Sequence, residues 1–212
     1  MAIDVRALSK LHGTTPVLLD VTFSIPHGAL VALTGPAGAG KSTLLKLLAG
    51  TLSASGGRIR LFDRDIRHAR LTAMADIGFV PQARSACTSM PLSDVLLYAG
   101  RARGLSHALL EERVHDVVHA WGLAPHLRDR CDTASPAVRA RIDIAVASLH
   151  NPRLLLLDDP FTGLDTHETA DLLARLERRA PAGTTVLATA GRAPACCARV
   201  LRLERGRLAD AL

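Results

Sequence analysis

The period of apolar and polar positions changes several times along the chain, and each change marks an element. Residues 17–25 and 30–33 are apolar and β-branched, which predicts two strands. The second runs into "TGPAGAGKSTLLKLLAG", where strand character gives way to helix character after Lys41. Strand, glycine-rich loop and helix therefore follow one another. Segments 58–62 and 76–80 again read as short strands, the first preceded by a turn at Gly56 and Gly57. Over 91–124 the spacing of Leu92, Val95, Leu96 and Ala99, and then of Val114, Val117, Val118 and Trp121, predicts helix. Beyond it come a predicted helix over 136–149, a buried strand over 154–157, a helix over 167–180 and a strand over 184–189. Strands alternating with helices about one glycine loop predict an α/β fold with a parallel sheet. With no long linker, low-complexity tract or repeat, one unit with an inserted helical region is expected.

Composition narrows the picture. A chain of 212 residues can fill one core, with or without an inserted subdomain. Although 48% of residues are apolar, no run approaches the roughly 18 to 20 uncharged apolar residues of a membrane-spanning helix. "MAIDVRALSK" lacks an apolar stretch followed by a small-residue cleavage site, so a soluble cytoplasmic chain is expected. Cys87, Cys131, Cys196 and Cys197 have no Cys-x-x-Cys spacing and are expected to be incidental thiols. The net charge of +6 is carried by arginines interspersed with acids, and one Trp, one Tyr and four Phe offer little base stacking, so no nucleic acid partner is expected. Lys10, Lys41 and Lys46 are the only lysines. A lysine beside the glycine loop therefore stands out.

That loop, "GPAGAGKS" from Gly35 to Ser42, fits G-x-x-x-x-G-K-[ST] at every fixed position and lies between a predicted strand and helix. Glycines let such a loop curl so that successive backbone N–H groups point at phosphate oxygens, and the following helix adds its positive N-terminal dipole. Gly35, Pro36, Ala37, Gly38, Ala39, Gly40, Lys41, Ser42 and Thr43 are thus the candidate ATP phosphate-binding residues. Lys41 is expected to bridge the β- and γ-phosphates, and Ser42 to offer its hydroxyl to Mg²⁺. Such a metal needs a carboxylate, and "LLLLDDPFTGLD" supplies Asp158 at the end of a buried strand. Asp159 then faces the attacking water.

The order of these motifs resembles the nucleotide-binding subunit of ATP-binding-cassette (ABC) transporters. The resemblance runs through "LSKLHGTTPVLLDVTFSIPHGALVALTGPAGAGKSTLLKLLAG" at 8–50, "IGFVPQ" at 77–82, "HNPRLLLLDDPFTGLD" at 150–165 and "RVLRLERGRL" at 199–208. It implies a P-loop NTPase core over about 1–82 and 151–212, an N-terminal antiparallel β subdomain, and a helical insertion over about 83–150 that is similar to the exporter-type branch. It implies Gln82 as the residue that reaches metal and attacking water and couples the site to membrane subunits. Gly163, Leu164 and Asp165 are implied at a dimer interface, and His12 stands where an aromatic usually stacks on adenine.

Several positions depart from the family pattern. The signature "LSGGQ" falls on "ASPAV" at 134–138, where Ser135 alone is retained. In the family this motif embraces the γ-phosphate bound to the opposite subunit; here Pro136 has no N–H and Ala137 adds a Cβ. The glutamate expected after the metal-binding aspartate is Asp159, one methylene shorter and pulled back by roughly 1.5 Å. Ala190 and Gly191 occupy the candidate positions of the switch histidine. The resemblance, with these departures, implies a cassette that binds Mg-ATP at the cytoplasmic face of a membrane permease, beside a second, more competent cassette, and hydrolyses ATP weakly alone. Two other expectations are a slow homodimeric ATPase that tolerates the substitutions and a cassette that holds nucleotide without turnover.

Overall fold

The computed structural model describes residues 1–68, 70–82, 89–180, 182–191 and 199–209. The thiols of Cys87, Cys196 and Cys197 lie outside these residues, whereas Cys131 is buried. Two sheets organise the chain. The first is four-stranded and antiparallel, in the order β2-β1-β4-β5, built from β1 (Ile3–His12), β2 (Thr15–Ile25), β4 (Gly56–Leu61) and β5 (Arg64–Asp65). The second is six-stranded, in the order β10-β9-β3-β8-β7-β6, from β3 (Leu30–Thr34), β6 (Ile77–Val80), β7 (Leu154–Leu157), β8 (Thr185–Ala190), β9 (Arg199–Glu204) and β10 (Arg207–Ala209). Every pairing in it is parallel except the closing hairpin β9–β10. The strands predicted over 17–25 and 58–62 thus join the antiparallel sheet.

No strand is predicted for Ile3–His12, and the backbone gives the reason. Register shifts against β2 fall between Val5 and Leu8 and again on either side of Lys10, and Ala7 takes a positive φ of 49°. These irregularities break the period of two that would have marked the strand. The helical stretch over 91–124 is interrupted once. Helix α3 (Leu92–Ala102) ends at Gly104, φ 76°, where Gly104 N–H donates to Arg101 O and Leu105 N–H to Gly100 O, before α4 (His107–Ala120) begins. That double bond about a left-handed glycine is a Schellman stop.

The interior strand β7, between β8 and the edge strand β6, fixes the layering. All four of its leucines are fully buried, and they alternate. Leu154 and Leu156 pack in one cluster with α1 (Lys41–Leu48) and the antiparallel sheet; Leu155 and Leu157 pack in the other with α3, α4, α5 (Pro136–Ser148) and α6 (Thr166–Arg179). A strand covered on both faces must be apolar at every position, which is why four leucines stand in a row. A short helix α2 (Arg70–Ala75) precedes β6. No helix among the described residues is long and apolar enough to cross a membrane.

Candidate functional site

The site lies at the C-terminal ends of β3, β7 and β8, where open parallel sheets hold their ligands. The chain leaves β3 at Thr34 and turns through residues 35–40 into α1. Gly35 has φ 146° and its Cα abuts β9, the strand beside β3 in the sheet: an added Cβ would run into the Leu203 carbonyl oxygen. Gly40 has φ 103°, caps α1 in a left-handed conformation, and has Leu18 and Val17 of β2 against it. Pro36, Ala37 and Gly38 are exposed at the tip, and Ala39 is buried beneath them. Lys41 Nζ donates to the Gly35 and Pro36 carbonyls at 2.7 and 2.9 Å, so its ammonium is held over the loop. Leu44, Leu45, Leu47 and Leu48 anchor α1 in the core, while Lys41, Ser42 and Thr43 on its first turn remain partly exposed.

Parallel pairing aligns the ends of β7 and β8. Leu157 is opposite Ala188, so the next residues, Asp158 and Thr189, stand side by side. Asp158 is only 4% exposed, and its Oδ1 accepts from Ser42 Oγ at 3.0 Å and from Thr189 Oγ1 at 2.9 Å. Among the described residues its Oδ2, which is buried, has no hydrogen-bond partner. A buried carboxylate oxygen lacking a donor is costly unless a cation meets it. Asp158 and Ser42 therefore form an all-oxygen donor pair of the kind magnesium takes.

Asp159 is held differently. Its backbone has φ 55°, its N–H donates to Thr189 Oγ1 at 2.7 Å, and its Oδ2 accepts from Thr162 Oγ1 at 2.5 Å. Gln82 follows β6 by two residues and is exposed. His12 is exposed at the tip of the β1–β2 hairpin, paired with Thr15. Ser135 is the N-cap of α5, its Oγ accepting from Val138 N–H at 3.3 Å, with Pro136 at the first helical position. Among the described residues no hydrogen bond ties His12, Gln82 or Ser135 to the Lys41–Ser42–Asp158 cluster. Asp165 N-caps α6 through a reciprocal box with Glu168, and Gly163 lies against Pro136. Ala190, at the end of β8, is buried, and Gly191 beyond it is exposed. Thr189 and Thr162 escaped the sequence analysis. The signal for Thr189 was the strand register, which sequence alone does not supply.

This geometry agrees with comparisons to known proteins. A family model described as ABC transporter matches residues 18–162. The chain is 34% identical over 189 residues to a daunorubicin/doxorubicin resistance ATP-binding protein of Streptomyces peucetius, covering 89% of this chain and 57% of that protein. It is 32% identical over 209 residues to a Nod factor export ATP-binding protein of Bradyrhizobium diazoefficiens, covering 97% of this chain and 68% of that one. The chain thus spans little more than half the length of the first relative and about two thirds of the second. The solved structure of an ATP-binding subunit of an ABC transporter superposes with a TM-score of 0.83 at 29% identity, over 98% of this chain and 88% of that one. The chain is a member of the ABC transporter family, as an ATP-binding cassette.

Proposed function

We propose that the chain binds Mg-ATP at Gly35 to Thr43 and Asp158 and works as the nucleotide-binding subunit of an exporter. The observation that carries this reading is the buried Asp158, with Ser42 on one oxygen and, among the described residues, no partner on the other. The loop N–H groups and the N-terminus of α1 receive the phosphates, and Lys41 exchanges two carbonyls for the β- and γ-phosphate oxygens. Ser42 and Asp158 hold the magnesium, with Gln82 completing its surroundings. When bound, the ion neutralises phosphate charge. His12 lies against the adenine from the hairpin tip.

The export direction rests on the similarity to a Nod factor export and a drug resistance ATP-binding protein, and the coupling to a permease rests on family membership. In this reading the cassette docks on transmembrane subunits at the cytoplasmic face and pairs with a second cassette whose intact signature completes the site. Its own Ser135 end contributes less, because Pro136 lacks a donor N–H. A regulatory cassette that holds nucleotide without turnover is the second reading. It is favoured by the bond that commits Asp159 to Thr162.

Titration calorimetry with Mg-ATP tests the proposal. The wild-type chain binds and Lys41→Ala does not, since the substitution removes the ammonium held over the loop. Equal affinity in the two proteins overturns the assignment. Co-expression with a permease and cassette encoded beside the gene, followed by co-purification, tests the pairing.

A further inference from the structure

Three residues meet at the end of the sheet, and the least conspicuous ties the other two together. Thr189 is 1% exposed, on β8, one position beyond the last Cα partner of β7. A threonine hydroxyl has one proton and two lone pairs. Here the proton goes to Asp158 Oδ1 at 2.9 Å, and a lone pair accepts the Asp159 N–H at 2.7 Å. Resting on the Mg-ATP reading above, we propose that Thr189 is a positioning residue for the metal: it aims the free oxygen of Asp158 and pins the peptide that carries Asp159.

The reasoning follows from the hydrogen-bond count. Both donors on Asp158, Ser42 and Thr189, converge on Oδ1, which turns the carboxylate so that Oδ2 is left for a cation. With magnesium bound, the Ser42 oxygen would offer a lone pair to the ion while its proton can stay on Asp158, and Thr189 would hold the same carboxylate oxygen from the strand. The same hydroxyl holds Asp159 at φ 55°, a region few residues other than glycine adopt. Thr189 reaches nucleotide and metal only through Asp158 and Asp159. Partners that orient a metal ligand in this way typically govern metal affinity by about 10- to 100-fold.

Thr189→Val keeps the shape and removes the hydroxyl, whereas Thr189→Ser keeps the hydroxyl. ATP affinity is measured for both variants and wild type in EDTA and across a Mg²⁺ titration, with thermal unfolding as a check of folding. For Thr189→Val, metal-free ATP affinity stays within about twofold of wild type, because Lys41 and the loop are untouched, while the Mg²⁺ concentration giving half-maximal binding rises about tenfold or more. Thr189→Ser stays within about twofold on both measures. If Thr189→Val fails to fold, Thr189→Cys, a weaker donor of similar size, is expected to give the same split. An unchanged Mg²⁺ dependence, an equal loss with and without metal, or a Ser variant as impaired as the Val variant overturns the inference and leaves the Mg-ATP reading standing. A wild-type chain that binds no ATP overturns both.

Discussion

Asp159 and Thr162 are joined by a hydrogen bond of 2.5 Å in which the threonine hydroxyl donates to one carboxylate oxygen. The carboxylate expected to face the attacking water is thereby folded back on its own loop. Its backbone is fixed at the same time by Thr189. A short side chain on a fixed backbone has little freedom to reach a water farther out.

Asp159→Asn should therefore change turnover by less than about tenfold, because removing a productive general base costs about 10² to 10⁴. The amide oxygen still accepts from Thr162, so stability also changes little. Thr162→Val breaks the bond and lowers stability by about 1 kcal/mol. Phosphate release and urea unfolding on the two variants check both statements; a hundredfold loss in Asp159→Asn would show the carboxylate to be an active base.

The glycines of the loop differ in what they do, and substitution separates them. Gly38 has φ 76° but open space around its Cα, so Gly38→Ala meets only the left-handed penalty of about 1–2 kcal/mol. In Gly35→Ala the new methyl meets the Leu203 carbonyl, and a backbone strand cannot yield as a side chain does. A loss of at least about 3 kcal/mol is expected, the upper end of overpacking costs. Urea midpoints for the two variants check the order.

Gly35 shows where the sequence stopped being informative. Its place in "GPAGAGKS" signals phosphate binding, yet its tightest neighbour is a strand some 170 residues later in the chain, and long-range contacts of that kind leave no local pattern. β7 was legible because burial on both faces demands leucine at every position, and Asp158 because it ends that run. β9 alternates apolar and charged residues over 201–204, but its place beside β3 follows only from the sheet order. β1 was hidden by its bulges. The polar triangle of Ser42, Asp158 and Thr189 combines a motif residue, a strand-end residue and a residue that only parallel register brings near.

His150 provides a pH-dependent prediction. Its Nε2 lies 3.1 Å from the Ile77 carbonyl and 3.3 Å from Arg103 Nη1. Burial first, and the Arg103 guanidinium second, push its pKa down to about 4, against the opposing pull of the Ile77 carbonyl and Asp76. The unfolded chain titrates near 6.5, so between 6.5 and about 4 the unfolded state binds a proton that the native state refuses. The contribution to stability is full above 6.5 and declines as pH falls toward 4. Urea unfolding of wild type and His150→Gln at pH 7.5 and 4.5 is expected to show the wild type losing more stability than the variant over that interval. Parallel losses would contradict the assignment.

The last prediction concerns turnover and follows from the number of contacts affected. Ala190 and Gly191 provide no side chain for a γ-phosphate, Pro136 provides no N–H at the start of α5, and Asp159 is retracted and bonded to Thr162. Loss of one preorganised transition-state contact typically costs on the order of a hundredfold in rate. Effects within one site do not simply add, so the combined deficit is not their product. The isolated chain is nevertheless expected to bind ATP and hydrolyse it barely above background. Asp159→Glu alone is expected to leave it there: the longer side chain recovers reach, while the positions at 136, 190 and 191 are unchanged. Phosphate release at matched protein and Mg-ATP concentrations, against a cassette with intact motifs, decides the matter. A wild-type rate equal to that of the intact cassette would establish a self-sufficient homodimeric ATPase in place of a partner-dependent one.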